Sequence, residues 1–138
     1  MQEIINQEFG GERPLYCSHD LFLEGVTIHL GESSLKETSD IEAYKCRFEG
    51  KYVFWCCDRF KVRDCYFAES ARSSLWHSTD CEMTDCIVDA PKMFREMEGI
   101  KLRNVNMNCA QETFWSCSDI DLDNVFATKA DYIFMHCS

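Results

Sequence analysis

Three residues of reactive type recur at nearly one spacing: Cys56, His77 and Glu96, separated by 21 and 19 positions. Thiol, imidazole and carboxylate in that order read as nucleophile, base and orienting acid. The same three, with Glu37 one step earlier, carry the donor types of a metal site. The full column is Glu37, Cys56, His77, Glu96, Ser116 and His136, a mixed polar series of the kind that faces solvent. No oxyanion donor is identifiable beside it. His77 and His136 stand three repeats apart, about 14 Å at strand spacing, too far to share an ion. Cys56, His77 and Glu96 are thus the catalytic candidates, and neither a metal nor a cofactor is expected.

One position earlier runs a bulkier column: Lys36, Trp55, Trp76, Arg95, Trp115 and Met135. If it points outward, Trp55 stacks on Trp76, and Arg95 lies between Trp76 and Trp115 in cation–π geometry. Trp55, Trp76, Arg95 and Trp115 are the candidate ligand-binding residues, a platform for sugar rings or a protein partner. The plainer alternative is that the indoles lie flat and cover the coil. A third set is acidic: Asp40, Glu42, Asp58, Asp64, Asp80, Glu82, Asp85, Asp119, Asp121 and Asp123. Turn chemistry and solubility account for most of these. A rod of regular carboxylates could also imitate duplex DNA. The pair Asp121 and Asp123 is weak evidence for Ca²⁺.

The chain that must position these groups has 138 residues, 46% of them hydrophobic, with 6 Gly, 2 Pro and a net charge of −10. That is one domain with enough apolar content for a core. The acidic balance argues against nucleic-acid binding and against anionic membranes, which need clustered Lys and Arg. The opening Met1-Gln-Glu-Ile-Ile-Asn-Gln-Glu8 has no basic or apolar leader character, and no stretch is apolar enough for a membrane helix. A cytoplasmic protein is expected. Ten cysteines in such a chain mean metal, catalysis or burial rather than disulfides. No CxxC pair is present; Cys56 and Cys57 are contiguous, and Cys81 and Cys86 are five apart.

A repeat explains the spacings. Asp20-Leu-Phe-Leu-Glu-Gly-Val-Thr-Ile28 returns as Asp40-Ile-Glu-Ala-Tyr-Lys-Cys-Arg-Phe48 and as Arg59-Phe-Lys-Val-Arg-Asp-Cys-Tyr-Phe67. It returns again from Asp80, Gly99 and Asp119, giving periods of 20, 19, 21, 19 and 20. Alternation of period two marks short strands, and the Asp, Asn and Gly columns mark bends. Leu35, Phe54, Leu75, Phe94, Phe114 and Phe134 open a second half-pattern, with a half-copy at Leu15-Tyr-Cys17. The pattern predicts an all-β parallel β-solenoid of about six coils, spanning residues 15–138, with residues 1–14 as an N-terminal cap. Leucine-rich repeats and strict pentapeptide repeats do not fit the motif or the uneven period.

The columns also place the cysteines. Val26, Cys46, Cys65, Cys86, Val105 and Val125 form one small apolar column; Thr38, Cys57, Ser78, Met97, Cys117 and Cys137 form another. Cysteine there acts as a small, inert hydrophobe. Cys17 is expected to join the second column, which leaves Cys56, Cys81 and Cys109 without a packing role.

Several segments resemble a bacterial family of unknown function with a right-handed, single-stranded parallel β-helix of the pectate-lyase-like superfamily. They are Phe9-Gly-Gly-Glu-Arg-Pro-Leu15, Gly31-Glu-Ser-Ser-Leu-Lys-Glu-Thr38, Ala71-Arg-Ser-Ser-Leu-Trp-His-Ser78, Ala90-Pro-Lys-Met-Phe-Arg95 and Gln111-Glu-Thr-Phe-Trp-Ser-Cys117. The resemblance implies the fold and no activity. Its members are about twice this length, whereas this chain stops at Phe134-Met-His-Cys-Ser138 with no cap. An uncapped last coil exposes strand edges and core. Self-association through Phe134, Met135 and Cys137 is therefore expected, as a dimer. A non-catalytic scaffold that binds glycan or protein is the leading reading. A carbohydrate-active lyase or hydrolase rests on fold analogy alone, and the half-patterns are joined by segments too short to wall a cleft. An acidic DNA-mimic inhibitor is the third reading.

Overall fold

A computed structural model describes residues 1–137. The chain winds into a parallel β-solenoid of about six turns, opening at Asp20, Asp40, Arg59, Asp80, Gly99 and Asp119 and numbered 1 to 6 here. Its first broad face stacks β1 (Gln2–Ile5), β3 (His19–Glu24), β5 (Ser39–Tyr44), β8 (Asp58–Arg63) and β11 (Thr79–Thr84). The first halves of β14 (Glu98–Met107) and β15 (Ser118–Ala127) complete it. A second face stacks β2 (Glu8–Glu12), β4 (Thr27–Glu32), β6 (Arg47–Phe48), β9 (Tyr66–Phe67) and β12 (Ile87–Val88) before the second half of β14. The third is a narrow sheet of β7 (Phe54–Trp55), β10 (Leu75–Trp76) and β13 (Phe94–Arg95). All pairings are parallel and nearly in register, so a sequence column becomes a physical ladder.

Corners are made by residues in the left-handed region. They include the predicted bend columns Asp40, Arg59, Asp80 and Lys45, Asp64, Asp85, Asn104. They also include Glu37, Cys56, His77 and Glu96, whose side chains give no such signal. Each such corner costs on the order of 1 kcal/mol for a residue with a Cβ. Backbone hydrogen bonds to the next turn offset it: Lys45 N–H donates to Arg63 C=O at 3.0 Å, Asp64 to Thr84 at 3.1 Å and Asp85 to Arg103 at 2.9 Å.

The core is a set of inward ladders. Phe54 stacks on Phe60 and Phe48 on Phe67, each pair at 4.8 Å between ring centroids. Phe94, Phe114 and Phe134 continue the third-face column at 4.8 and 4.9 Å. Cys46, Cys65 and Cys86 are buried with Val26 and Val105, as the Val/Cys exchange predicts. In the second small column every member but Met97 carries a donor, and that donor aims backward. Cys57 Sγ donates to Leu35 C=O at 2.9 Å, Ser78 Oγ to Phe54 C=O at 2.9 Å, and Thr38 Oγ1 to Leu35 C=O at 2.8 Å. Thiol and hydroxyl interchange there because each satisfies a buried carbonyl.

Two expectations need correction. Cys17 is exposed and adopts the left-handed corner conformation of the Cys56 column; its amide donates to Lys36 C=O as Cys56 donates to Trp76 C=O. Ser18, not Cys17, is the counterpart of Thr38, since the amide of Ser39 donates to Ser18 C=O as that of Asp58 does to Thr38 C=O. Cys81 has a packing role: it is 1% exposed, between Phe60 and Ile100 in register. Residues 2–12 cover the N-terminal end as an ordinary layer of coil, with β1 paired to β3 and β2 to β4.

Candidate functional site

The bulky third-face column folds as its order predicts. The indoles of Trp55 and Trp76 stack at 5.2 Å and 12°. The Arg95 guanidinium lies 4.3 Å from both the Trp76 and Trp115 rings. Tyr52, at the preceding corner, tilts against Trp55 at 4.7 Å. The indole N–H groups are also engaged: Trp55 donates to Ser73 C=O at 2.5 Å, Trp76 to Lys92 C=O at 2.9 Å, and Trp115 to Tyr132 C=O. Each indole thereby pins the corner of the following turn. The ladder is half-buried, with Trp76 stacked between Trp55 and the Arg95 guanidinium.

The neighbouring corner column brings part of the reactive set together. His77 Nδ1 lies 2.6 Å from Glu96 Oε2. The His77 ring meets Trp55 and Trp76 edge-on at 5.9 and 6.3 Å. Cys56 is exposed, and among the described residues no hydrogen bond joins it to His77. Of the three catalytic candidates, His77 and Glu96 are paired and Cys56 is not hydrogen-bonded to them. Glu37 belongs to a separate group, accepting from Tyr16 Oη at 2.6 Å, with Cys17 Sγ at 3.6 Å. That hydrogen bond from Tyr16 lowers the Glu37 pKa and pushes the Tyr16 phenol up to about 12. Among the described residues no three His, Cys, Asp or Glu are disposed to hold a metal ion.

Two further arrangements were not signalled by type and spacing. On the second face His29 sits between Glu8, 2.5 Å from Nε2, and Glu49, 3.3 Å from Nδ1. Arg47 donates to Glu49 at 2.7 Å and stacks over Tyr66, whose hydroxyl donates to Asp89. On the first face the carboxylates alternate with bases. Asp40 pairs with Arg59 at 2.8 Å, Asp121 with Arg103 at 2.9 Å, and Glu82 lies 3.9 Å from Lys61 and 3.7 Å from Lys101. A groove of about 590 Å³ follows this face across turns 2 to 6, between the corner column and the Glu42–Asp121 column.

Tight corners, in-register ladders and short joins define the class: an all-β parallel β-solenoid repeat protein. Within that class, the chain belongs to the family described as protein of unknown function (DUF3737), whose model matches residues 2–138. The search of curated proteins gave no match. Among the described residues no helix is long and apolar enough to cross a membrane.

Proposed function

We propose that this protein is a non-catalytic interaction scaffold that presents ordered outward columns to a partner. The observation that carries this reading is that among the described residues no hydrogen bond joins Cys56 to His77, although in-register pairing of Trp55 with Trp76 makes them column neighbours. A thiol without a coupled base and without an oxyanion hole has little to offer as a nucleophile. The aromatic ladder fits this reading better as a stiff edge for a protein partner than as a sugar platform. Sugars stack on ring faces, and here Trp76 is covered by Trp55 and Arg95, while Trp55 and Trp115 each have one face taken by Trp76 and Arg95 respectively. Kinship with pectate-lyase-like β-helices enters for the coil architecture and not for lyase chemistry. A cytoplasmic site of action suits ten free cysteines.

The test is thiol reactivity. Native protein is treated with a mild electrophile across pH 6–9, and Cys56 is compared with the exposed Cys17 by mass spectrometry. A scaffold gives similar rates at the two sites, unchanged in His77→Ala. A Cys56 rate at least about tenfold above that of Cys17, lost in His77→Ala, would overturn it in favour of an activated nucleophile.

A further inference from the structure

The first broad face carries a charge order that the chain's overall acidity hides. Turn 3 presents Arg59, Lys61 and Arg63 outward, all basic and all exposed. Turn 6 presents Asp119, Asp121 and Asp123, all acidic and all exposed. Between them, turn 4 offers Asp80 and Glu82, and turn 5 offers Lys101 and Arg103. The charges at these named outward positions sum to zero within a chain of net charge −10. Over turns 3 to 6 the outward positions thus run basic, acidic, basic, acidic, while turns 1 and 2 extend the face beyond turn 3 with the acidic Asp20, Glu24, Asp40 and Glu42.

We propose that this face is a self-complementary docking surface for a second copy of the chain. A twofold axis parallel to the strands, passing between turns 4 and 5, brings two such faces together and reverses the order of turns. Turn 3 then meets the partner's turn 6, so that Arg59, Lys61 and Arg63 oppose the partner's Asp119, the partner's Asp121 and the partner's Asp123. Turn 4 meets turn 5, with Glu82 opposite the partner's Lys101. Asp80 faces the partner's Gly99, where the absence of a side chain leaves room. The groove along this face accommodates the long Lys and Arg side chains of the other copy.

Register is fixed by repulsion as well as attraction. With the axis shifted to pass through turn 4, Lys61 falls on the partner's Lys101 and Glu82 on the partner's Glu82. A twofold along the solenoid axis sets every turn against itself, again like on like. β15, which among the described residues pairs with β14, is a poorer site for a copy. Antiparallel pairing there sets Asp121 against the partner's Asp121, flanked by further Asp pairs. The contact covers about 300 Å² per partner at strand and turn spacings, below a standard interface, so the dimer is weak and salt-sensitive.

The inference tests by charge exchange between copies. Lys61 and Asp121 lie three turns apart in one chain, about 14 Å, and have no contact within it. Lys61→Glu and Asp121→Lys are each studied alone and mixed, by sedimentation velocity at low salt. The wild type should dimerise with rising concentration and dissociate near 0.5 M salt, a Debye length of roughly 4 Å. Each variant alone should weaken dimerisation at least about tenfold, and the mixture should restore it. Asp121→Lys also removes the Arg103 ion pair, so Arg63→Glu mixed with Asp123→Lys serves as a second couple free of that loss. Circular dichroism confirms that each variant is folded. A wild type monomeric up to about 1 mM, or a mixture no better than its components in both couples, would overturn the proposal. So would a dimer lost in Phe134→Glu but intact in Lys61→Glu. A monomeric wild type leaves the scaffold reading standing, since thiol reactivity tests that separately.

Discussion

At the scale of single residues, the adjacent pair Cys56–Cys57 gives the sharpest contrast in the molecule. Cys57 is fully buried, and burial pushes its thiol up to about 11; burial does the same to Cys86, to about 12, and Cys117, to about 11. At pH 8 these groups are protonated and shielded, hence unreactive. Alkylation followed by mass spectrometry is expected to mark Cys17 and Cys56 first and to reach Cys57 and Cys81 only on unfolding. Modification of Cys57 at the rate of Cys56 would contradict the inward ladder. His29 is a second residue-scale case. Its pKa is raised, chiefly by the hydrogen bond to Glu8 and further by Glu49. A raised pKa stabilises the fold fully below the unfolded value near 6.5 and loses that contribution as pH rises through the folded value. His29→Gln should therefore lower Tm at pH 6 and change it much less at pH 8.5. Equal Tm changes at the two pH values would show that the imidazole does not bridge the two carboxylates.

At the scale of elements, the third-face sheet is only two residues wide per strand, so its stability comes from the ladder lying on it. Arg95 is the keystone: its side chain separates Trp76 from Trp115, and its Nε is buried without a hydrogen-bond partner. Removing it in Arg95→Ala forfeits two cation–π contacts, about 1–2 kcal/mol in urea unfolding, while Arg95→Lys should keep part of that. No loss in Arg95→Ala would mean the stack contributes nothing. The order of this ladder was legible from sequence because parallel in-register stacking makes column neighbours into spatial neighbours. The acceptors of the indoles were not legible. Ser73, Lys92 and Tyr132 stand 18, 16 and 17 residues downstream, at corners that belong to no shared column with the tryptophans. The left-handed backbone at Cys56 and His77 escaped notice for a related reason. Closure of the coil imposes it against the preference of those side chains, whereas at Asp85 and Asn104 preference and closure agree. The half-copy Leu15-Tyr-Cys17 offers too few columns to fix the register of Cys17. Cys81, by contrast, occupies an apolar position of the repeat that already pointed inward.

At the scale of the whole molecule, a solenoid has no centre: each turn touches only the turns beside it, and stability is a sum of nearest-neighbour terms. Burial is accordingly uneven along the axis. Phe94 is fully buried and stacks on Phe114, whereas Phe134 at the last turn is 45% exposed. The same truncation should then have different costs at the two places. Phe94→Ala leaves a cavity bounded by turns on both sides and should cost about 3–5 kcal/mol. Phe134→Ala removes a ring with one neighbour and should cost about 1 kcal/mol or less. Hydrogen exchange gives the matching kinetic profile. Amides of β8 and β11, bonded into turns above and below, should exchange slowest, and those of β15 well ahead of them. The two measurements bear on each other. If Phe94→Ala speeds exchange in turns 4 to 6 but leaves β3 and β5 protected, the nearest-neighbour account holds and the chain unfolds from the C-terminal side. Uniform acceleration in every turn would instead mean that the ladders couple the stack into one cooperative unit, and the cost of Phe134→Ala would then have to rise toward that of Phe94→Ala.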